Sequence, residues 1–213
     1  MTKAKATPAE KWALPAQQAR SLATRERLLA AAEKTFADKG YDGAKLSDIA
    51  AEAGVSVGAV YFRFKDKDAL FLGVAETFVQ EARARLGEFV VDDATRPLDE
   101  VVRTFVMRTA ANFAAHRGLF RAIIERGFEH KPVLDIMFAL RDEIARSLQD
   151  ALSARVRDKQ ALGDAIRVAT QMIYGFLLIG ILNPHAPTRQ NRTQAVKGLA
   201  DAVVAYLQSM VPR

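Results

Sequence analysis

The sequence predicts an all-α fold of about nine helices, on three observations. Apolar residues recur every three or four positions from Thr24 almost to the C-terminus. Residues that cap or break helices fall at the ends of these periodic stretches. No run alternates apolar and polar residues between turn signals, as a half-buried strand would. The composition leaves room for a core: of 213 residues, 50% are hydrophobic and 26% charged. That is the balance of a globular chain, and disorder throughout is ruled out.

Residues 1–20 are rich in Ala, Lys, Gln and Pro with little periodicity, and read as a flexible basic arm. Lys3, Lys5, Lys11 and Arg20 there either touch phosphates or are simply solvated, and Trp12 packs loosely or not at all. Leu28, Leu29, Ala32 and Phe36 then form a stripe of helical period. Thr24 is its N-cap, and Lys39-Gly40 closes it, since Gly accepts the left-handed conformation common after a helix. Ser47 is placed to cap a second, short helix, with Asp48 favourable against its N-terminal dipole. Gly54 breaks that helix, Ser56 caps a third, and Asp66 caps a fourth that runs to about Phe89.

After Asp92-Asp93 the helices lengthen. Leu98, Val101, Val102, Phe105, Thr109, Phe113 and His116 trace one face of a fifth helix that stops before Gly118. Leu119 to Phe128 makes a sixth, bounded by Gly127 and Pro132. Val133, Met137, Leu140, Ile144, Leu148 and Leu152 stripe the seventh. Asp164 to Leu182 is apolar nearly all round, and Asn183-Pro184 ends it. Asn191, with Gln194 three residues on, resembles a capping box opening a last helix striped by Val196, Leu199, Val203 and Leu207.

Several classes of function are excluded. Without cysteine there is no disulfide scaffold, thiolate metal site or Cys nucleophile. His116, His130 and His185 lack metal-ligand spacing, and no nucleophile motif, phosphate loop or dinucleotide fingerprint is present. The reading is a chain that is not an enzyme and needs no cofactor. The first residues lack the apolar core of a secretory signal. The longest apolar run, Met172 to Leu182, falls short of the ~20 residues a bilayer requires. A cytoplasmic protein with no membrane partner is expected. The formal charge of +6 divides evenly between residues 1–75 and the remainder, so it permits a polyanionic partner without pointing to one.

The informative segment is SDIAAEAGVSVGAVYFRFKDK, Ser47 to Lys67. Two helices that cross sharply need a tight turn and little bulk at their contact. Ile49, Ala50 and Ala53 give the first a small apolar face, Gly54 supplies the turn, and Val55 plugs the junction. With Val60 and Phe64 facing inward, Gly58 and Phe62 face outward and Tyr61 lies at the border. An exposed Gly, Tyr and Phe on one short helix make a poor solvated surface and a good nucleic-acid surface. Gly58 permits close approach, Tyr61 reaches a phosphate, and Phe62 meets thymine methyls or sugars. The plain alternative is a helical hairpin used only for packing.

TRERLLAAAEKTFADKGYDGAKLSDIAAEAGVSVGAVYFRFKDKDALF resembles the N-terminal domain of TetR-type bacterial transcriptional regulators along its whole length. The resemblance covers about the first third of the chain, including the AGVS turn, the Tyr-x-x-Phe recognition helix and the Lys opening the fourth helix. It implies a helix-turn-helix DNA-binding domain over residues 21–70, with a recognition helix at about 56–63. A helical regulatory and dimerisation domain would follow over residues 71–213. It further implies that Ser47 and Tyr61 hydrogen-bond phosphates and that Lys67 grips one at a helix N-terminus. Val57, Gly58, Phe62 and Arg63 would face the major groove, with Arg25 and Ser56 completing the DNA contacts. Val57 replaces the polar or basic residue of many relatives, and Phe62-Arg63 replaces a frequent histidine-containing pair. Arg63 therefore either reads guanine or holds a phosphate.

For the remainder the resemblance implies a domain that dimerises and often holds a small molecule. A helix apolar on every side needs partners on every side, so Ala169, Phe176 and Gly180 are interface candidates, joined by Leu199 and Val203 on the last helix. A central core helix of a monomer is the alternative. Phe105, Thr109, Phe113, His116, Phe120, Met137, Met172 and Phe176 are candidates to line a pocket for a small apolar or amphipathic effector, or else are ordinary core. Thr109 can also bond back to a helix carbonyl. Glu125 and Arg126 either orient a polar ligand group or are a solvated pair. The expected function is a homodimeric, ligand-responsive repressor of a palindromic operator in double-stranded DNA. Its rivals are a DNA-binding regulator without an effector, and a cytosolic small-molecule binding protein or enzyme whose hairpin is structural.

Overall fold

A computed structural model describes residues 8–89, 95–183, 185–186 and 191–210, with side chains described from residue 18 on except at 88, 89 and 182. Among them the regular structure is helical: α1 Pro8–Gly43, α2 Leu46–Glu52, α3 Val57–Tyr61, α4 Lys67–Ala84, α5 Leu86–Phe89, α6 Leu98–Ala115, α7 Arg117–Arg126, a 3-10 turn Gly127–Glu129, α8 Lys131–Ser153, α9 Lys159–Leu182 and α10 Arg192–Met210. The expected all-α architecture is borne out. The readings of Lys3, Lys5, Asp92, Asp93 and Pro184, and of the Lys11 and Trp12 side chains, fall outside the described residues.

Several boundaries differ from expectation, each for a local reason. The segment expected as an arm is helical from Pro8, and its Ala, Glu, Gln and Lys are good helix formers that need no tertiary partner to favour that state. Thr24 is therefore not a cap: its hydroxyl donates to the Arg20 carbonyl at 2.8 Å, one turn back. Gly40, at φ 73° and ψ 172°, does interrupt α1, in the left-handed region that disfavours any other residue. The N-cap of α2 is Lys45, which leaves Ser47 in the first turn, while Asp48 pairs with Lys39 at 2.7 Å. Ser56, Asp66 and Asn191 cap α3, α4 and α10 through side-chain oxygens, as their sequence positions suggest. The fourth helix stops at Ala84, and a separate turn continues to Phe89. α9 begins five residues earlier than Asp164, because Asp158 accepts from the Ala161 amide at 2.9 Å.

That longer α9 changes one expectation. Lys159–Ile181 is long and apolar enough, by length and composition, to cross a membrane, with mean hydropathy 1.3. Leu162, Ala165, Ile166, Ala169, Ile173 and Leu177 on one side of it are nevertheless buried in the bundle.

The N-terminal unit is built on Leu28, Phe36, Ile49, Val60 and Phe71, all inaccessible to solvent. Burying a side chain of this size stabilises by about 1.5–3 kcal/mol. α4 leaves that unit and enters the second, where Phe78 meets Phe120 edge-on at 5.5 Å. The two units are seated on each other through α1 and α7. A Cβ on Gly118 would lie 2.4 Å from the Glu33 carbonyl oxygen, so the helices approach backbone to backbone. Arg121 donates to the Ala37 carbonyl at 3.2 Å, and Glu125 accepts from the Tyr41 amide at 2.6 Å.

Candidate nucleic-acid interface

The α2–α3 turn is held by its own backbone. Gly54 adopts φ 66°, and Val55 donates to the Ala50 carbonyl at 3.0 Å, which folds α3 sharply across α2. Val60 and Phe64 face the core, at 0% and 6% exposed, while Phe62 is 82% and Tyr61 57% exposed. Val57, Gly58 and Ser47 are also exposed, and a Cβ at Gly58 would meet only Ser56 Oγ at 3.9 Å. The helix thus presents a bare backbone segment flanked by Val57, Tyr61 and Phe62, in the orientation its spacing predicts. Ser56 Oγ accepts from the Ala59 amide at 3.2 Å, the cap of α3. Arg25 is exposed on α1.

Two cationic residues are more constrained than the sequence implies. Arg63 is half-buried: its Nη1 donates to the Ala59 carbonyl at 3.1 Å and its guanidinium lies 5.6 Å from the Phe62 ring centroid. Lys67 Nζ donates to the carbonyls of Tyr41, at 2.8 Å, and Ala44, at 3.2 Å, and sits 4.3 Å from the Tyr41 ring centroid. Two of its three donors thus lock the end of α1 to the start of α4. Tyr41 is itself fixed by donating its hydroxyl to Asp68. Burial, with the Asp68 carboxylate beside it, pushes its pKa up, so the phenol stays neutral.

One largely apolar cavity of the second unit, about 260 Å³, lies between α7, α8 and α9. Phe120 and Met137 line it, as the sequence suggests, together with Ile123, Leu134, Tyr174 and Leu178. Phe113 stands behind that wall, stacked on Phe120 at 3.9 Å and edge-on to Tyr174 at 5.2 Å. The other candidates lie elsewhere. Phe105 and Thr109 are buried within the α6 core, and the Thr109 hydroxyl has no hydrogen-bond partner rather than bonding back. His116 leaves the cavity altogether, with Nδ1 2.9 Å from Glu33 and its ring edge-on to Phe78, because α6 ends where it meets α1. Met172 is exposed and Phe176 half-buried, and neither lines this cavity. Glu125 and Arg126 also point away, towards Tyr41.

The interface candidates need the same correction. Ala169, Leu199 and Val203 are buried inside their own chain, because the apolar stripes of α9 and α10 are satisfied by each other and by α6. Gly180 is buried and lines a second void of about 220 Å³ together with Phe113 and Arg192. Among the described residues, the large apolar side chains left exposed on α9 are Val168, Met172 and Ile179, and with the half-buried Gly175 they fall at spacings of four, three and four. Beside it, α10 exposes Gly198, Ala202 and Ala205 at the same spacing. A Cβ at Gly175 or Gly198 would meet nothing within 4 Å, so nothing within the chain demands glycine there.

Comparison with known proteins agrees with this geometry. The family profile described as bacterial regulatory proteins, tetR family, matches residues 28–74, which run from the second half of α1 into the first half of α4. The repressor AcnR of Corynebacterium diphtheriae is 30% identical over 143 residues, which cover 63% of this chain and 68% of that protein. The uncharacterized regulator YerO of Bacillus subtilis is 22% identical over 163 residues, and the match spans 75% of this chain but only 56% of YerO. A transcriptional regulator from Rhodococcus sp. Rha1 shares the fold with a TM-score of 0.71 at 20% identity, over 89% of this chain and 98% of that one. With its helix-turn-helix and its helical second unit, the chain belongs to the TetR family of bacterial transcriptional regulators.

Proposed function

We propose that this regulator is a repressor that binds a palindromic operator as a homodimer and is released by a small-molecule effector. The observation that carries the reading is α3: one side of it is fully buried, and the other exposes Phe62, Tyr61, Val57 and the Gly58 backbone. Phe62 and Gly58 enter the major groove, Tyr61 and Ser47 hold phosphates, and Arg63 swings off Phe62 to reach the backbone. Lys67 retains one donor for a phosphate while its other two hold α1 to α4. The stripe Val168–Met172–Ile179 and the small residues of α10 pair with their copies about a two-fold axis, which sets the recognition helices ~34 Å apart.

Ligand response is supported by α7, which does two jobs. Phe120 and Ile123 line the cavity, while Gly118, Arg121 and Glu125 on the same helix grip α1. A ligand that binds better when α7 is displaced favours a conformer with the wrong helix separation, and only that difference in affinity drives release. The test is recovery of DNA from a genomic pool by the wild-type chain and by Gly58→Glu, a site with open space around it in the free protein. Wild type should enrich palindromic sites and the variant none; equal enrichment by both would refute the assignment of α3.

A further inference from the structure

A second, more polar cavity of about 450 Å³ runs between α8 and α9, lined among others by Arg141, Arg146, Gln149, Arg167 and Thr170. It adjoins the apolar cavity, and Arg141 and Gln171 line both. We infer that the two form a single site for an anionic amphiphile, whose apolar tail fills the α7–α8–α9 cavity and whose anionic head lies among the three arginines. The inference rests on the ligand-responsive reading and names the chemical class of its ligand.

The polarity changes along the site in one direction. Ile123, Leu134, Met137 and Leu178 surround the inner arm. At the junction, Arg141 lies 5.0 Å from the Phe138 ring centroid and pairs with Asp142 at 2.8 Å. Asp142 is the one acid among the lining residues of the outer arm, and Asp164 beside it pairs with Arg167, so three guanidinium groups face two carboxylates and the arm keeps a surplus of one positive charge. Both oxygens of nearby Glu143 accept from Arg83, at 2.8 and 2.6 Å. Guanidinium forks match phosphate and carboxylate oxygens in bidentate geometry, which a neutral or cationic head cannot exploit.

Thr170 gives an independent reason to expect a polar ligand atom. The residue is 3% exposed and lines the outer arm, and its buried hydroxyl has no hydrogen-bond partner. A buried hydroxyl in that state is disfavoured, and a head-group oxygen would satisfy it. The inner arm alone is slightly smaller than the ~300–1,000 Å³ usual for small-molecule sites, and the two arms together fall within that range. α9 also joins this site to the proposed dimer face, since Gln171 lines the site next to the exposed Met172.

Calorimetric titration of the full chain with decyl phosphate, decanol, decyltrimethylammonium and inorganic phosphate tests the inference. Decyl phosphate should bind at least about tenfold more tightly than decanol, and the cation and inorganic phosphate should bind far more weakly than either. Arg146→Gln with Arg167→Gln should weaken decyl phosphate about tenfold or more while leaving decanol affinity and melting temperature unchanged. Equal affinity for decanol and decyl phosphate, or an unchanged double variant, would overturn the site. Vesicles containing phosphatidylglycerol form a further arm, and a preference for vesicles over monomeric decyl phosphate would also overturn it. Arginine-dependent binding that leaves operator affinity untouched would keep the site and overturn the ligand response. Operator release by decanol as efficient as by decyl phosphate would do the reverse.

Discussion

Gly118→Ala should force α1 and α7 apart and so loosen the joint between the two units. The added Cβ would sit 2.4 Å from the Glu33 carbonyl oxygen, 2.7 Å from the Ala37 Cβ and 2.8 Å from the Ala37 amide nitrogen. Ordinary contact distances are ~3.5–4.0 Å, so the helices must separate by about 1 Å. Two of these neighbours are backbone atoms, and no rotamer change relieves them. Overpacking of this kind costs ~1–3 kcal/mol, and the better helix propensity of Ala returns at most ~1 kcal/mol. The net loss is about 1–2 kcal/mol, or ~2–8 °C in melting temperature for a chain of this size. The separation also stretches the Arg121–Ala37 and Glu125–Tyr41 hydrogen bonds, so operator affinity should fall with stability. Urea unfolding followed by circular dichroism, with operator titration in parallel, measures both. A variant as stable as wild type with unchanged operator affinity would refute the close α1–α7 approach and the coupling built on it.

Three further outcomes follow from named contacts. Phe62→Ala, at a side chain 82% exposed, should leave stability within ~0.5 kcal/mol of wild type yet weaken operator binding in a gel shift. Unchanged affinity would remove Phe62 from the interface. Lys67→Met keeps the aliphatic stem but loses the donors to Tyr41 and Ala44, so urea unfolding should show a loss of ~1.5–3 kcal/mol besides a smaller salt dependence of DNA binding. A reduced salt dependence with full stability would make Lys67 a phosphate contact only. Ile179→Glu, at a site 60% exposed, should leave the fold intact but give monomer by sedimentation at micromolar concentration, because a dimer would bury an unpaired charge on each copy. A folded dimer would move the interface away from this stripe.

How much of this was legible in the sequence depended on whether a signal was local. Gly40 and Gly54 marked positive-φ positions, and the orientation of α3 followed from helical spacing alone, since Val60 and Phe64 are buried and Phe62 is not. Thr24 misled because the same hydroxyl serves as an N-cap or bonds back to a carbonyl, and only the preceding turn decides which. Lys67 was placed correctly at the start of α4, but its partners lie at the end of α1 and just past it, twenty or more residues earlier. Ala169, Leu199 and Val203 show that periodicity reveals a buried face without saying which molecule buries it. The stripe at 168, 172, 175 and 179 was present in the letters, hidden because α9 is apolar on its core side as well. The two-armed cavity was invisible at that stage, since Arg141 and Gln171 look like ordinary surface residues until α8 and α9 are laid side by side.

The central claim is that two copies of α3, carried by one dimer, sit in successive major grooves. Hydroxyl-radical footprinting on a site recovered from the genomic pool tests it most directly. Two protected patches should appear, centred one helical turn apart at ~34 Å, and Ile179→Glu should abolish both together at the concentration where wild type saturates. A single protected patch, or two patches that persist in the monomeric variant, would contradict the account.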